Sequence, residues 1–351
     1  MTPQQLNPSG EALKPLREVS FDPELTPGAR NAVRVCLNVQ PKEKVTLITD
    51  VVTHEIAASL LHELDEAGAT CTPFVLEAIA ARPLEIMPLE VLRALENSDV
   101  SIFAVKVQQN ELRSRMQMTD VVNRKRIRHA HMVNIDRRIM LEGMRADYRK
   151  VDEISRKVVD IVSKAHMIEA RTPAGTDMRA EMNPAYRWLK TSGIISREKW
   201  GNLPGGEVFT TPGEVNGIFV VDGVVGDYLC ACFGDLKEYP LTVQMRQNRI
   251  TEVSSANKEL QESFWRYTHT DENSDRVGEF AIGTNIELKN VIGEILQDEK
   301  FPGVHIAFGN PYGEHTGAQW FSSTHIDIVG REFDIVVDGR QIMRRGQFTI
   351  S

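Results

Sequence analysis

The sequence predicts an α/β N-terminal domain with a mainly parallel sheet, followed by a smaller α+β, mostly antiparallel C-terminal domain. Between residues 43 and 164, β-branched runs alternate with segments whose apolar residues recur at helical spacing, the pattern of strands joined by crossover helices. Beyond residue 170, short strand-like runs follow one another and are broken by Gly and Asp turns. A chain of 351 residues also exceeds one ordinary domain. The boundary is expected near residue 168, giving an α/β domain over 1–168 and an α+β, metal-binding domain over 169–351.

The elements follow in order. The Pro-rich opening up to Pro27 reads as an extended arm, with a short helix over 29–37. KVTLITDV is a strand; HEIAASLLHELDEAGA is a helix closed by Gly. TCTPFVL reads as a strand, PLEVLRALENS as a helix and DVSIFAVKV as a strand. TDVVNRKRIRHA reads as helical with HMVNI a short strand after it, and an amphipathic helix over 151–164 closes the series. In the second half GTDMRAEM, GEVFTTP, NGIFVVDGVVGD and YPLTVQMRQNRITEV read as strands, with helices expected over 256–267 and 286–297. The VVDGRQI segment reads as a hairpin around Asp338-Gly339.

Composition narrows the function. Asp and Glu number 49 against 41 Lys and Arg, a net charge of -8, and such a field repels polyphosphates, so no nucleic-acid partner is expected. Four scattered cysteines do not make a disulfide framework and fit a reducing cytoplasm. No apolar signal core opens the chain, and the apolar stretch over 217–233 is interrupted by Asp222 and Asp227, so no membrane partner is expected. Nucleophile-elbow, P-loop and GxGxxG motifs are all missing from the sequence. His54-Glu55 and His62-Glu63 approach HExxH, but Ala58 and Glu66 stand where a second histidine is needed, so both pairs read as one solvated helix face. The run 124–128 likewise reads as a solvated basic face, and Cys230-x-Cys232 as two core thiols on one strand face.

Chemistry concentrates in the second half, where metal-ligating side chains sit in strand-like runs. They are Glu207 in NLPGGEVFTTP, Glu279 in DRVGEFAIGTN, His305 in GVHIAFG, and His325 with Asp327 in STHIDIVG; Tyr312 follows in NPYGEHTG. In a strand, residues i and i+2 share a face, so His325 and Asp327 can grip one cation while Ile326 turns away. Gly278 and Ala281 beside Glu279 leave room for an ion. A lone histidine or a His-x-Asp pair in a strand is more often structural, so spacing alone does not decide. Carboxylates inside apolar strands do weigh towards metal, because burying such charges without a partner costs several kcal/mol each, roughly.

The blocks NLPGGEVFTTP, GEFAIGTN, ILQDEKFPGVHIAFGN and STHIDIVG, in this order, resemble those of the aminopeptidase T/aminopeptidase S family of metallo-aminopeptidases. The resemblance spans most of residues 30–351 and is specific in the C-terminal half. It implies two divalent ions (zinc, cobalt or manganese) lying between an α/β domain and a smaller C-terminal domain in a cytoplasmic homodimer. It implies Glu207, Glu279, His305, His325 and Asp327 as ligands, with Glu279 bridging. It places Tyr312 beside the ions as a catalytic group, and implies removal of an N-terminal residue from a small peptide or a related amide. Two such ions, about 3.5–4 Å apart, acidify a water and polarise a carbonyl. The chain is shorter than typical members and its loop between His305 and His325 is compressed. The general base is not legible; Glu214 and Glu314 are candidates, and Glu314 and His315 otherwise face solvent.

A second reading takes His305, His325 and Asp327 alone as a 2-His-1-carboxylate set for one Fe(II). Ring-cleaving 2,5-dihydroxypyridine dioxygenases resemble the same family. A mononuclear iron site has no use for Glu207 and Glu279, which favours hydrolysis. A non-catalytic scaffold would be expected to lack ligands, and all five are present.

Overall fold

The computed structural model describes residues 14–350, so the first part of the expected N-terminal arm lies outside the described residues. The remainder of the arm forms short 3-10 turns over Leu16–Glu18 and Pro23–Leu25. The helix expected over 29–37 is present as Thr26–Arg30, continued by a π-helical turn over Asn31–Cys36. Two compact units divide the chain: residues up to Tyr148 with Gly193–Gly205, and Arg149–Ser192 with residues from Gly206 onward. The division therefore falls at 148 rather than 168, and the second unit is the larger of the two. The physical reason is the amphipathic helix Tyr148–Val162, whose Val158 and Val162 bury in the second unit's core.

The first unit holds a parallel sheet in the spatial order Thr70–Val75, Lys44–Thr49, Val100–Val105, Arg128–Val133 and Gly201–Asn202. Val100–Val105 is buried at every position, as a central strand covered on both faces must be. The helix read through TDVVNRKRIRHA runs instead over Leu112–Lys125, and the strand begins at Arg128. Arg126 adopts a left-handed conformation, φ 53°, which ends the helix and turns the chain into the sheet. Helix His54–Glu66 forms as expected, but Glu63 is not solvated: its carboxylate is buried and accepts from Arg30 and Arg34.

Two buried polar groupings characterise this unit. Arg82 donates to Asp50 at 2.7 Å, Glu77 at 3.1 Å and Glu111 at 2.5 Å, with its side chain only 3% exposed. Burial disfavours the guanidinium charge, but Glu111, Asp50 and Glu77 outweigh burial and hold it above its ordinary value. Separately, Ser101 Oγ meets His129 Nδ1 at 2.8 Å, and His129 Nε2 meets His131 Nδ1 at 3.1 Å.

Burial pushes His129 down to about 3 and His131 well below its ordinary value. Both rings therefore stay neutral in the folded state as pH falls below the value at which the unfolded chain protonates them. The His129 contribution to stability is complete above about pH 6.5 and is lost as pH falls from there towards about 3, by about 1.4 kcal/mol per pH unit, and His131 acts in the same direction. His129→Gln should therefore flatten the decline of the melting temperature between pH 7 and 4. Parallel declines in both proteins would reject the assignment.

The second unit contains two antiparallel sheets. The larger has eight strands, in the order Arg249–Ser255, Leu241–Arg246, Glu214–Val221, Asp177–Glu181, Met167–Arg171, Asp334–Val337, Arg340–Arg344 and Gln347–Phe348. The hairpin at Asp338-Gly339 is present, both residues having positive φ (46° and 81°), as a two-residue type I′ turn requires. The smaller sheet orders His325–Val329, Gly303–Gly309, Val277–Gly283, Glu207–Thr210 and Leu189–Thr191. Phe219 and Ile335 from the larger sheet, with Phe333 beside it, share one core with Phe280, Ile306, Phe308 and Ile328 from the smaller one.

Two expectations fail here. Of the helix expected over 286–297 only Ile295–Asp298 is helical. Gly293 takes a positive φ of 77°, and the Asp298 carboxylate gathers the N–H groups of Ile292, Gly293 and Glu294 into a loop. The end of NGIFVVDGVVGD and the two cysteines are not a strand but the helix Asp227–Phe233. On a helix, positions i and i+2 point apart, so Cys230 is buried while Cys232 is exposed. The helix expected over 256–267 is present as Lys258–Tyr267, capped by the Asn257 side chain.

Candidate metal centre

The five-stranded sheet of the second unit has two unlike faces. Val208, Phe280, Ile282, Val304, Ile306, Phe308, Ile326 and Ile328 alternate into the core. The intervening positions carry Glu207, Glu279, His305, His325 and Asp327, so all five expected ligands share one face of one sheet. Strand register makes room for them. Glu207 pairs with Gly283, His305 with Ala281, Glu279 and Asp327 with Ala307, and His325 with Gly309. Each ligand thus lies beside a small residue across the strand.

The register slips between Val277 and Glu279, a bulge centred on Gly278. Such a bulge re-aims the following side chain. A Cβ at Gly278 would lie 2.4 Å from the carbonyl oxygen of Gly309, so no larger residue fits there.

The five side chains form a continuous chain of donors. His305 Nε2 lies 3.5 Å from Glu207 Oε2 and 3.5 Å from Glu279 Oε1. His325 Nε2 lies 4.0 Å from Glu279 Oε2 and 3.4 Å from Asp327 Oδ2. Donor atoms of Glu207, Glu279 and His305 all fall within 4.8 Å of one another. Glu279 thus turns one oxygen to each histidine, and two half-sites share its carboxylate. The His325 Nδ1–H donates to the Asn310 carbonyl at 2.9 Å, which directs Nε2 towards the centre.

His305 supplies the test of fit. It is 1% exposed, and neither ring nitrogen has a hydrogen-bond partner among the described residues. A buried unpaired imidazole is costly, and its Nε2 points between two carboxylates. Nitrogen and oxygen donors alone make up the set, which suits zinc, cobalt or manganese.

The electrostatics agree with a cation-seeking site. Burial works against charge on every member. For His325 the opposing pull of Asp327 and Glu279 wins and lifts the imidazolium to about 10. His305 is likewise raised against burial, by Glu279, Glu207 and Asp327. Asp327 is held below the usual carboxylate range because His325 outweighs burial, whereas burial prevails at Glu279 and raises it. Protons on the histidines here supply positive charge that the three carboxylates demand.

The Tyr312 ring sits 4.6 Å from the His325 ring, tilted by 47°, on a backbone with φ 49°. Glu314 and His315 are exposed on the short helix Gly313–Thr316. Glu214 belongs to the eight-stranded sheet, where its carboxylate accepts from Asn216. Neither carboxylate joins the donor chain.

Sequence reasoning missed three neighbours of Glu207. Lys300 Nζ lies 2.7 Å from Glu207 Oε1 and also pairs with Glu299, while Thr191 Oγ1 donates to the same Oε1 at 2.9 Å. These contacts outweigh burial and hold Glu207 below the usual range. Burial pushes Glu299 up to about 8. The available signal was an adjacent acid–base pair, Glu299-Lys300, leading into the apolar strand that carries His305.

The sequence pattern of the thermophilic metalloproteases (M29) matches residues 132–348, more than half of the chain and inclusive of every residue of the centre. The chain belongs to the thermophilic metalloprotease family. No curated protein sequence matches this metalloprotease significantly. Among solved structures, AmpT from Thermus thermophilus superposes with a TM-score of 0.68 at 18% identity, over 94% of this chain and 100% of that one. A 2,5-dihydroxypyridine dioxygenase from Pseudomonas putida superposes with a TM-score of 0.67 at 15% identity, over 93% of this chain and 96% of that one. The metalloprotease therefore has a fold common to both, and the fold does not choose between their chemistries. No helix among its described residues is long and apolar enough to cross a membrane.

Proposed function

We propose that this metalloprotease is an aminopeptidase that removes the N-terminal residue of a small peptide, or cleaves a related small amide. Its proposed ligands are Glu207, Glu279, His305, His325 and Asp327, holding a pair of divalent ions. The observation that carries this reading is the Glu279 carboxylate, which turns one oxygen to His305 and the other to His325. A single-ion, 2-His-1-carboxylate site has no need of that arrangement, nor of Glu207.

When bound, the ions supply Lewis acidity to an amide carbonyl and lower the pKa of water. The rest falls to the protein. Asn310 fixes the His325 tautomer, and Thr191 and Lys300 hold Glu207 in one rotamer. The three carboxylates create a negative field that favours a substrate with a free α-ammonium group. Tyr312, packed on His325 and 43% exposed, stands at the solvent side of the centre, where its hydroxyl donates to the oxyanion that develops on the carbonyl.

The dioxygenase reading rests on the shared fold and on the His305, His325 and Asp327 set. One experiment separates the two. Aminoacyl anilides with a free amino terminus should be hydrolysed, N-acetylated ones spared, and activity should be lost to a chelator and restored by zinc, cobalt or manganese. Absence of hydrolysis, with Fe(II)-dependent oxygen uptake on a dihydroxypyridine, would replace this reading with the other.

A further inference from the structure

The two half-sites that share Glu279 are not equivalent. Beside Glu279, His325 and Asp327 the structure places no ammonium or guanidinium within ion-pairing distance among the described residues. Beside Glu279, His305 and Glu207 it places the Lys300 ammonium, in contact with the very carboxylate that would ligate. Lys300 is 1% exposed, and it is pinned by Glu207 and Glu299 through its amine and by Gln297 and Asn285 through its backbone.

From this geometry we infer that the metalloprotease binds its two divalent ions with unequal strength, tightly at Glu279, His325 and Asp327 and loosely at Glu207, Glu279 and His305, with Lys300 setting the difference. The inference rests on the metal-centre reading above. Two effects combine at the looser half-site. Lys300 and Thr191 already occupy Oε1 of Glu207, so that carboxylate offers one oxygen, Oε2, and cannot chelate through both. The buried ammonium also repels a divalent ion bound to the other oxygen of the same group, in a site where water screens little. The ion at the looser half-site is then the exchangeable one, and occupancy follows the metal supply.

Calorimetric titration of the metal-stripped full-length protein with cobalt(II), paired with its visible absorption, tests this directly. Two binding classes differing at least tenfold are expected. Glu207→Gln should remove only the weaker class and Asp327→Asn the tighter one. Lys300→Met should tighten the weaker class at least tenfold; should that protein not fold, the wild-type, Glu207→Gln and Asp327→Asn titrations decide alone. A single class, one ion per chain, at saturating cobalt would overturn both the inference and the two-ion reading on which it rests. Two equal classes, loss of the tight class in Glu207→Gln, or an unchanged weak class in folded Lys300→Met would overturn the inference while leaving the metal centre standing. No cobalt binding at all would overturn the metal centre itself.

Discussion

Glu279→Gln is expected to lower kcat/KM on an aminoacyl anilide by about three orders of magnitude, equivalent to about 4 kcal/mol of transition-state stabilisation. The amide has nearly the shape of the carboxylate, so the sheet is not disturbed. What disappears is the one charge that faces both His305 and His325, so both half-sites weaken together. Metal content measured by elemental analysis should fall in step with activity. Metal-stripped Glu279→Gln should melt no lower than metal-stripped wild type, because burial already raises this carboxyl and makes its charge a burden in the ion-free fold. That combination distinguishes loss of a ligand from loss of structure. Full turnover in the variant would eliminate the shared-carboxylate role.

Arg82→Met should be the most destabilising single change in the first unit, by about 4 kcal/mol near neutral pH. Arg82 is the common partner of Asp50, Glu77 and Glu111, and its loss leaves three clustered carboxylates facing a thioether. Their other donors survive: Thr53 and the Lys106 N–H for Asp50, the Leu84 and Gln108 N–H groups for Glu111, and the Val51 N–H for Glu77. These satisfy lone pairs but bring no formal positive charge. The sign with pH follows from Glu111. Burial raises its pKa, but Arg82 and the backbone donors outweigh burial and depress it. The stabilisation is therefore present above the unfolded pKa and is lost as pH falls through the folded one. The gap between wild type and variant should narrow on acidification. Urea unfolding at pH 7.5 and at about pH 3.5, below the unfolded carboxylate range, measures both effects; a loss under about 1 kcal/mol at the higher pH would show that backbone donors alone sustain the cluster.

The residues that the sequence identified are those whose geometry is local. His325 and Asp327 meet because a strand repeats every two residues, and that period is visible without coordinates. The assembly of Glu207, Glu279 and His305 with them depends on three strand pairings, and spacing could not supply these; the family resemblance did. Lys300 escaped notice because its amine reaches Glu207 from a loop, and no periodicity reports where a loop lysine points. Arg82 escaped for the same reason, its partners lying 5 to 32 residues away. The apolar run ending in Cys230 and Cys232 was misread because a short run of buried residues looks alike in a strand and a helix, and only the glycines at 226 and 234 mark the helix ends.

The pairing of every proposed ligand with glycine or alanine keeps bulky side chains away from the carboxylates and imidazoles on this face of the sheet. Ala281 and Ala307 share the ligand-bearing face, on well-buried strands whose opposite face is filled. Those two alanines are the positions from which a different donor would enter the same face without altering the core side of the sheet.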